Sequence, residues 1–466
     1  MTLIKKYIGD KAFYKTLLAL ALPLIIQQGI SNFVSLLDNL MVGGLGTEQM
    51  SSVSIINQLI FVFNLTLFGG FSGASIFGAQ FFGTGDFKGM RDTFRFRLIF
   101  GAVVCVIAFV VFGTLGDTLA LLFLENDVND PAVVAQTLEY AMSYLHIMLV
   151  GLVPFMIVQL YSGLLREMGE TFLPMAASVA AIFTNLVLNW LLIYGVFIFP
   201  QMGVAGAALA TVISRFVEMI IVVVYTHTRK QRFRFIEGAY KSLRVPAALV
   251  KKIAVTGTPL MVNEVLWSLG MTTINGNYSI RGIDVVAATN ISGTAWNLFC
   301  VIVFAMGSVV GIMVGQKLGA GEIDNAKDVA RKLMFVTVVM HIFLGIVVFA
   351  VAGLIPLLYN TEEIVRQTAA SMMRVQGFIL PIFSYVHIAY FTLRSGGKTI
   401  ITFLFDSVYM WTLTVPLSYC LCHLTALPIV TVYLLVQLAD VAKIVIAVPL
   451  LRSGVWANNL LTAKEE

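Results

Sequence analysis

The chain carries the same residue pattern twice, and this duplication constrains its fold more than any other feature. A polar cluster that starts at Gln80 recurs at Gln316, 236 positions later. The matched residues are Gln80, Gly83, Gly85, Asp86, Arg91, Asp92 and Arg95 in the first copy and Gln316, Gly319, Gly321, Glu322, Lys327, Asp328 and Arg331 in the second. An offset of 228 relates Leu165-Arg166, Gly169 and Thr171 to Leu393-Arg394, Gly397 and Thr399. The sequence therefore predicts two copies of one structural module.

The composition places this duplicated chain in a lipid bilayer. Of its 466 residues, 59% are hydrophobic and 12% are charged, and the mean hydropathy is +0.90. An ordinary soluble domain has about half apolar and about a quarter charged residues. These values exclude an ordinary soluble globular protein.

Twelve apolar stretches are long enough to cross the bilayer, because a helix needs about 20 residues to span a hydrocarbon layer of about 30 Å. They cover approximately residues 14–40, 53–81, 96–116, 137–164, 172–198, 204–226, 252–277, 285–316, 333–355, 371–392, 399–421 and 428–451. The predicted fold class is an all-α membrane protein with twelve transmembrane helices in two six-helix lobes. Since each lobe has an even number of crossings, we expect a pseudo-twofold axis along the membrane normal to relate the lobes.

The basic residues predict the orientation of the chain. With a cytoplasmic amino terminus, 25 of the 30 Lys and Arg residues lie on cytoplasmic segments, as the positive-inside rule requires. We therefore expect a multi-pass protein of the cytoplasmic (inner) membrane, with both termini in the cytoplasm. The net charge of +5 comes from these loops, so it gives no indication of a nucleic-acid partner.

The longest polar segment lies where the two halves join. It runs from His227 to Lys252, and we interpret residues 227–251 as a cytoplasmic linker between the lobes. The remaining predicted boundaries are an N-terminal lobe at 1–226, a C-terminal lobe at 252–451 and a cytoplasmic tail at 452–466. We expect the protein to be a monomer in the lipid bilayer.

The duplication and the apolar composition indicate a class of function. Two related membrane modules with a binding site between them are the usual build of a secondary transporter. The sequence contains no nucleophile elbow and no H-E-x-x-H motif, and its two glycine-rich segments lack the Gly-Lys-Ser/Thr ending of a phosphate-binding loop. We therefore expect neither an enzyme nor an organic cofactor. A membrane protein that binds or senses a ligand without transporting it is the alternative from a different class.

Five acidic residues fall within the predicted spans. An ionisable group there costs roughly 2.5–3.5 kcal/mol on insertion scales, so it requires a partner, a wet cavity or a function. The five are Asp38, Glu218, Glu264, Asp406 and Asp440.

Three of these acids have a basic residue that could neutralise them. Glu218 follows Arg215 by three residues and Asp440 precedes Lys443 by three, so each pair shares one helical face and is expected to form an ion pair. Asp406 has no basic residue at this spacing, but Arg374 of the preceding span could be its partner. The sequence leaves open whether Asp406 and Arg374 form a structural pair or a site in the second lobe.

Asp38 and Glu264 have no basic residue within one helical turn. A low-dielectric cavity favours the protonated form of a carboxyl group, so each residue could bind and release a proton or exchange it for a sodium ion or an organic cation. Both are candidate cation-coupling residues, and either could hold sodium. The alternative for Asp38 is simple exposure to water, and for Glu264 a hydrogen bond that holds the helix near Pro259.

Further polar residues accompany Asp38 in the first half. Asn185 and Asn189 are four residues apart and so lie on one helical face, where buried amides can serve a cation or a proton-linked network. The candidate supporting residues of a substrate cavity are Asn32, Gln159, Tyr161, Asn185 and Asn189. The alternative for each of them is a hydrogen bond between membrane helices.

Several motifs resemble those of the multidrug and toxic compound extrusion (MATE) transporters. They are Asp38-Asn39-Leu40-Met41-Val42-Gly43 with Leu45-Gly46, Gln80-x-x-Gly83-x-Gly85-Asp86 with its repeat Gln316-x-x-Gly319-Ala320-Gly321-Glu322, and Leu165-Arg166-x-x-Gly169-Glu170-Thr171. With the six-plus-six layout, the resemblance covers approximately residues 14–451.

The resemblance implies an antiporter that is coupled to protons or sodium ions and exports cationic amphipathic compounds by alternating access. In many bacterial members of this family an aspartate of the first helix carries the ion, and Asp38 matches it, with Gln159, Asn185 and Asn189 in the supporting positions. One branch has an aspartate where this chain has Asn189, which leaves the coupling ion open. Another branch uses a glutamate that Glu264 resembles, together with an acid in the tenth helix.

This chain departs from the second branch, because residues 371–392 contain no acid and carry Arg374 instead. A transporter of the same architecture, a flippase for lipid-linked precursors, is the competing hypothesis. A cavity that handles pyrophosphate should be lined with Arg and Lys, whereas the unpaired charges in these spans are mainly acidic. We therefore expect small-molecule organic cations as substrates.

Overall fold

A computed structural model of the chain describes residues 6–124 and 130–462. The first five residues of the predicted N-terminal lobe and residues 463–466 of the predicted tail lie outside the described residues. The described residues form thirteen α-helices and no β-strand. The helices are α1 Lys11–Gly43, α2 Thr47–Thr84, α3 Phe87–Leu124, α4 Pro131–Glu167, α5 Phe172–Tyr194, α6 Gly203–Thr228, α7 Ala247–Ser279, α8 Ile283–Phe299, α9 Val301–Gly319, α10 Ile323–Val351, α11 Glu363–Ser395, α12 Thr399–Leu424 and α13 Ile429–Ser453.

The helices confirm the predicted all-α membrane fold with twelve spans. Within the described residues, eleven helices are long and apolar enough to cross a membrane. The predicted span at 252–277 lies in α7, whose mean hydropathy is lowered by polar residues such as Asn263 and Glu264. With 33 residues, α7 is about 50 Å long and exceeds the hydrocarbon layer. It therefore completes the set of twelve.

The predicted span at 285–316 consists of two helices, α8 and α9, which meet at Cys300. The Cys300 N–H donates to the Trp296 carbonyl at 2.9 Å, and the Phe304 N–H donates to the Cys300 carbonyl at 3.0 Å. Because these bonds keep the i to i−4 pattern of a helix, the interruption is local. We treat α8 and α9 as one membrane span.

The chain divides into two compact units. The N-unit comprises Ile26–Gly78 and Asp86–Lys251, and the C-unit comprises Met1–Ile25, Ala79–Gly85 and Lys252–Glu466. In the N-unit, α6 packs against α4 and α5, and in the C-unit α11 packs against α8, α9, α10 and α13. The first half of α1 belongs to the C-unit because Leu17, Leu20 and Leu24 share an apolar core with residues of α9 and α10.

The duplication is visible in the backbone of the turns. Gly85 and Gly321, which are 236 positions apart, have φ angles of 73° and 77°. Gly169 and Gly397, which are 228 positions apart, have φ angles of 82° and 78°. This left-handed region is readily accessible only to glycine. The repeated glycines thus mark turns of the same geometry in the two modules.

A close helix contact inside the C-unit also follows the repeat. A side chain added at Gly83 would lie 2.0 Å from the Gln316 carbonyl oxygen, and one added at Gly319 would lie 2.0 Å from the Gln80 carbonyl oxygen. The two glycines therefore allow the end of α2 and the end of α9 to approach backbone to backbone. Small residues serve this purpose at helix interfaces in membranes.

Candidate functional site

The N-unit contains a small polar cavity between α1, α5 and α6. Its volume is about 140 Å³, and its charged lining residues are Asp38, Arg215 and Glu218. The remaining lining residues are Ser31, Val34, Ser35, Ser178, Ala181, Ile182, Asn185, Thr211 and Ser214. A cavity built from hydroxyl, amide and carboxylate groups inside an apolar helical unit is suited to a small cation or a proton and water.

The carboxylate of Asp38 is held by two amides of α5. Asn189 Nδ2 donates to Asp38 Oδ1 at 2.8 Å. When the Asn185 amide is oriented with its nitrogen towards Asp38, it donates to the two carboxylate oxygens at 3.1 and 3.2 Å and accepts from Thr211 Oγ1 at 3.2 Å. The four-residue spacing of the two asparagines brings both amides to one carboxylate, as their common helical face predicts.

The α6 wall of the cavity carries an ion pair. Arg215 Nη1 lies 3.2 Å from Glu218 Oε2, with side chains that are 40% and 5% exposed, which confirms the pairing predicted from their spacing. The Arg215 guanidinium also lies 5.0 Å from the centre of the Phe155 ring. The buried Glu218 is therefore neutralised by a cation at the mouth of the cavity, and Asp38 is the carboxylate that remains without an ion pair among the described residues.

The size of the cavity limits what it can hold in this conformation. A drug-sized ligand occupies about 300–1,000 Å³, whereas each water takes about 30 Å³. At about 140 Å³ the cavity can hold an ion and a few waters but no drug. A larger ligand requires a rearrangement of the surrounding helices.

Oxygen atoms of the site could serve as ligands for sodium. Asn189 Oδ1 is buried and has no hydrogen-bond partner among the described residues. Together with the Asp38 carboxylate and the serine hydroxyls of the lining, it provides the hard oxygen donors that such a cation prefers. No group of three or more His, Cys, Asp or Glu side chains within residues 6–124 and 130–462 has the geometry of a metal centre.

The other predicted supporting residues lie elsewhere. Gln159 and Asn32 do not line the cavity, and the Asn32 side chain accepts a hydrogen bond from Gln28 Nε2 at 3.1 Å. Tyr161 is 1% exposed and its hydroxyl contacts the hydroxyl of Tyr240. Tyr161 therefore anchors the segment that follows α6 within the N-unit rather than lining the cavity.

The α6 residues of the cavity were not among the predicted site residues. Thr211, Ser214, Arg215 and Glu218 follow the i, i+3, i+4, i+7 spacing of one helical face. That spacing is a usable signal for a polar face of α6, although Arg215 and Glu218 also fit the simpler interpretation of a structural ion pair. Nothing in the linear sequence indicates that this face of α6 lies opposite Asp38.

A second polar cluster lies inside the C-unit and corrects one expectation. Asp406 Oδ1 lies 3.3 Å from Lys443 Nζ, and Lys443 Nζ also lies 3.3 Å from Asp440 Oδ1. The predicted pair of Asp440 with Lys443 is thus confirmed. The partner of Asp406 is Lys443 of α13 rather than Arg374, which is exposed on α11.

Asn263 completes this cluster from α7. Its Nδ2 donates to Asp406 Oδ2 at 3.1 Å, and its Oδ1 accepts from Ser407 Oγ at 2.7 Å. Asp406 and Ser407 lie in a π-helical segment, Leu404–Val408, a distortion that is frequent at functional sites. The neighbouring Glu264 is partly exposed and forms no hydrogen bond or ion pair within the part of the chain that the structure describes.

The fold and the cavity define a class of protein. A duplicated, all-helical membrane protein with an unpaired carboxylate in a polar cavity has the build of a secondary transporter. The MatE family model matches residues 23–191 and 259–420, more than half of the chain. The protein belongs to the MatE family. The two matched segments begin 236 positions apart, which is the offset of the repeated cluster.

Known proteins agree with this assignment. The chain is 25% identical to the probable multidrug resistance protein NorM of Thermotoga maritima, over 87% of this chain and 85% of the relative. It is 26% identical to the probable multidrug resistance protein YoeA of Bacillus subtilis, over 88% and 87%. A solved structure of the Vibrio cholerae MATE transporter VcmN has the same fold, with a TM-score of 0.85, 18% identity and coverage of 96% and 98%. The protein is a multi-pass membrane transporter and not an enzyme.

Proposed function

We propose that the protein exports organic cations across the bacterial cytoplasmic membrane in exchange for protons or sodium ions, by alternating access. The observation that carries this proposal is the Asp38 carboxylate, which two asparagine amides hold in a cavity too small for a drug. The relatives NorM and YoeA are described as probable multidrug resistance proteins, and this supports small organic compounds as the substrates.

Coupling follows from competition for one carboxylate. An ion that neutralises Asp38 favours a state with a small cavity, whereas an organic cation needs a larger cavity and the charged carboxylate. Each ligand must then weaken binding of the other by the same coupling free energy. An inward ion gradient would load Asp38 from outside and release the drug there, which drives export.

Several further features belong to this proposal. The positive-inside pattern supports cytoplasmic termini, and we expect a monomer without a nucleic-acid partner. Glu264 is proposed as a second cation-coupling residue, because it is a carboxyl group of a membrane helix without an ion pair in the described structure. The positive charge of Arg394 attracts the Glu264 carboxylate, and the negative charge of Asp406 repels it.

Transport by the purified protein tests the proposal. We expect a fluorescent organic cation to leave proteoliposomes under an imposed proton gradient or an imposed sodium gradient, and the ion that drives flux is the coupling ion. Liposomes without protein and liposomes without a gradient are the controls. Absence of flux under both gradients, with folded protein, would favour a flippase for lipid-linked precursors. Ligand binding without flux would favour a membrane binding protein.

The two asparagines of α5 give a second prediction. Asn189→Ala removes the 2.8 Å hydrogen bond to Asp38, and a hydrogen bond to a charged group contributes about 1.5–3 kcal/mol. We expect the concentration of the coupling ion that gives half-maximal efflux to change by about tenfold or more, measured from the pH or sodium dependence of the initial rate. Gln159→Ala is the matched control, because Gln159 lies outside the cavity. An equal effect of the two substitutions would contradict the role of Asn189 in ion binding at Asp38.

A further inference from the structure

The C-unit has a basic groove that the repeated sequence helps to interpret. It lies between α10, α11, α13 and the segment before α1, with a volume of about 680 Å³. Four cations line it, Lys6, Lys327, Arg331 and Arg452, and no acidic residue of the described chain lines it. The walls are largely apolar and include Met334, Phe335, Leu451 and Trp456.

The equivalent position of the N-unit is filled by the chain itself. Arg91 and Arg95 are the counterparts of Lys327 and Arg331. Arg91 Nε donates to the Phe235 carbonyl at 3.2 Å, and Arg95 donates to the carbonyls of Ala239 at 3.0 Å and Gly238 at 2.9 Å. The guanidinium groups of the first module are thus satisfied by backbone oxygens of the segment that follows α6.

The aromatic ring of Phe94 also helps to fill this position in the N-unit. Phe94 is fully buried, and its ring lies 5.9 Å from the Phe235 ring and 5.7 Å from the Tyr240 ring. The counterpart of Phe94, 236 positions later, is Ala330, which lines the groove. The N-unit thus has an aromatic cluster at this position, whereas the C-unit has a methyl side chain in the wall of an open groove.

The basic residues of the groove are only partly satisfied. Arg331 Nη1 lies 3.4 Å from Asp328 Oδ1, but the same carboxylate also lies 2.5 Å from Lys332 Nζ. Within the described residues, Arg331 Nε and Nη2, Lys327 Nζ and the Arg452 guanidinium have no hydrogen-bond partner. The groove therefore presents positive charge and several free donors to a ligand.

The groove continues onto an apolar surface. On α10, Phe335, Ile342, Phe343 and Ile346 are 39–66% exposed and share one helical face by their spacing. An anionic head bound by the cations would thus have its hydrocarbon tail beside a surface that faces lipid. The positive-inside pattern predicts that this end of the helices faces the cytoplasm, where anionic lipids bind basic pockets between membrane helices.

We propose that this groove binds an anionic phospholipid of the cytoplasmic leaflet, with the phosphate between Lys327, Arg331 and Arg452 and the acyl chain along α10. Charge complementarity, the free donors and the continuity of the groove with the lipid-facing surface support this assignment. It does not depend on the proposed antiport, because the groove and the Asp38 cavity share no lining residue.

Native mass spectrometry of the full-length protein in detergent tests the proposal. We expect one dioleoylphosphatidylglycerol to bind with at least about tenfold higher affinity than dioleoylphosphatidylcholine. Lys327→Gln combined with Arg331→Gln should weaken phosphatidylglycerol binding at least about tenfold, because it removes two of the three cations placed at the phosphate. Ala330→Phe, which restores the ring of the first module and keeps every charge, should weaken it similarly.

Matched variants distinguish an effect of positive charge anywhere on the protein from an effect of the charges in this groove. Lys230→Gln combined with Lys251→Gln removes two exposed charges outside the groove and should leave the affinity unchanged, while thermal unfolding checks that each variant is folded. Equal binding of the two lipids, or equal losses in the groove and control variants, would overturn the proposal.

Deletion of residues 463–466, which contain Glu465 and Glu466, should have no effect on the affinity for phosphatidylglycerol. A tenfold gain in lipid affinity would instead identify the acidic tail as the occupant.

Discussion

Replacement of Asp38 by asparagine is expected to abolish ion-driven efflux while the protein still inserts and folds. The substitution keeps the size of the side chain but removes the charge that would bind a proton, a sodium ion or an organic cation. Asp38 is the carboxylate of the N-unit cavity without an ion pair among the described residues. Its two asparagine neighbours cannot replace it, because their amides are neutral. Initial rates of efflux from proteoliposomes measure the effect.

The control for this prediction is Asp117→Asn. Asp117 is an exposed aspartate of the same unit, so its replacement removes the same charge without touching the cavity. We expect wild-type efflux in the control and flux no higher than that of protein-free liposomes for Asp38→Asn, with equal unfolding temperatures. Efflux by Asp38→Asn at the wild-type rate would remove Asp38 from the coupling mechanism.

Replacement of Lys443 by methionine is expected to destabilise the C-unit by about 3 kcal/mol. The Lys443 side chain is 6% exposed and neutralises Asp406 and Asp440, which are 22% and 21% exposed. Loss of one member of a buried ion pair costs about 3–5 kcal/mol, because the remaining charge stays buried without compensation. The partial exposure of the two carboxylates places our expectation at the lower end. Chemical unfolding in detergent, monitored by circular dichroism, measures the change in the free energy of unfolding.

A charge-balanced variant distinguishes electrostatics from packing. Lys443→Met combined with Asp406→Asn and Asp440→Asn leaves no uncompensated charge and should recover most of the lost stability. Lys251→Met, at an exposed lysine, should leave the unfolding free energy within about 0.5 kcal/mol of wild type. If the triple variant is as unstable as the single one, the cost arises from lost packing around the lysine side chain rather than from the ion pairs.

The features that were predictable from the sequence depend on local spacing or on the internal repeat. The ion pair of Arg215 with Glu218 and that of Lys443 with Asp440 each join residues three positions apart, which a helix necessarily brings together. The common face of Asn185 and Asn189 follows from the same helical period. The helical spans follow from the length of the apolar runs, because an unpaired backbone is too costly in lipid.

The partner of Asp406 could not be predicted from sequence spacing. Lys443 and Arg374 both lie on other spans, 37 and 32 positions away in the sequence, and the spacing does not distinguish them. Only the rotation of each helix about its axis decides that Lys443 faces Asp406 while Arg374 is exposed. Tyr161 is a similar case, since its polar hydroxyl contacts Tyr240 in the segment after α6 instead of the cavity.

The sequence by itself determined that this protein is a duplicated, twelve-span helical membrane protein of the MATE type and that Asp38 and Glu264 are acids of its spans without a basic residue within one helical turn. It could do so because hydrophobic length, helical period and an internal repeat are properties of the chain itself. Only the tertiary structure decided which side chains meet Asp38, which base pairs with Asp406 and which module keeps an open basic groove. These contacts depend on how helices distant in sequence are rotated and packed together. The segment after α6 fills the position in the N-unit whose counterpart in the C-unit is an open groove.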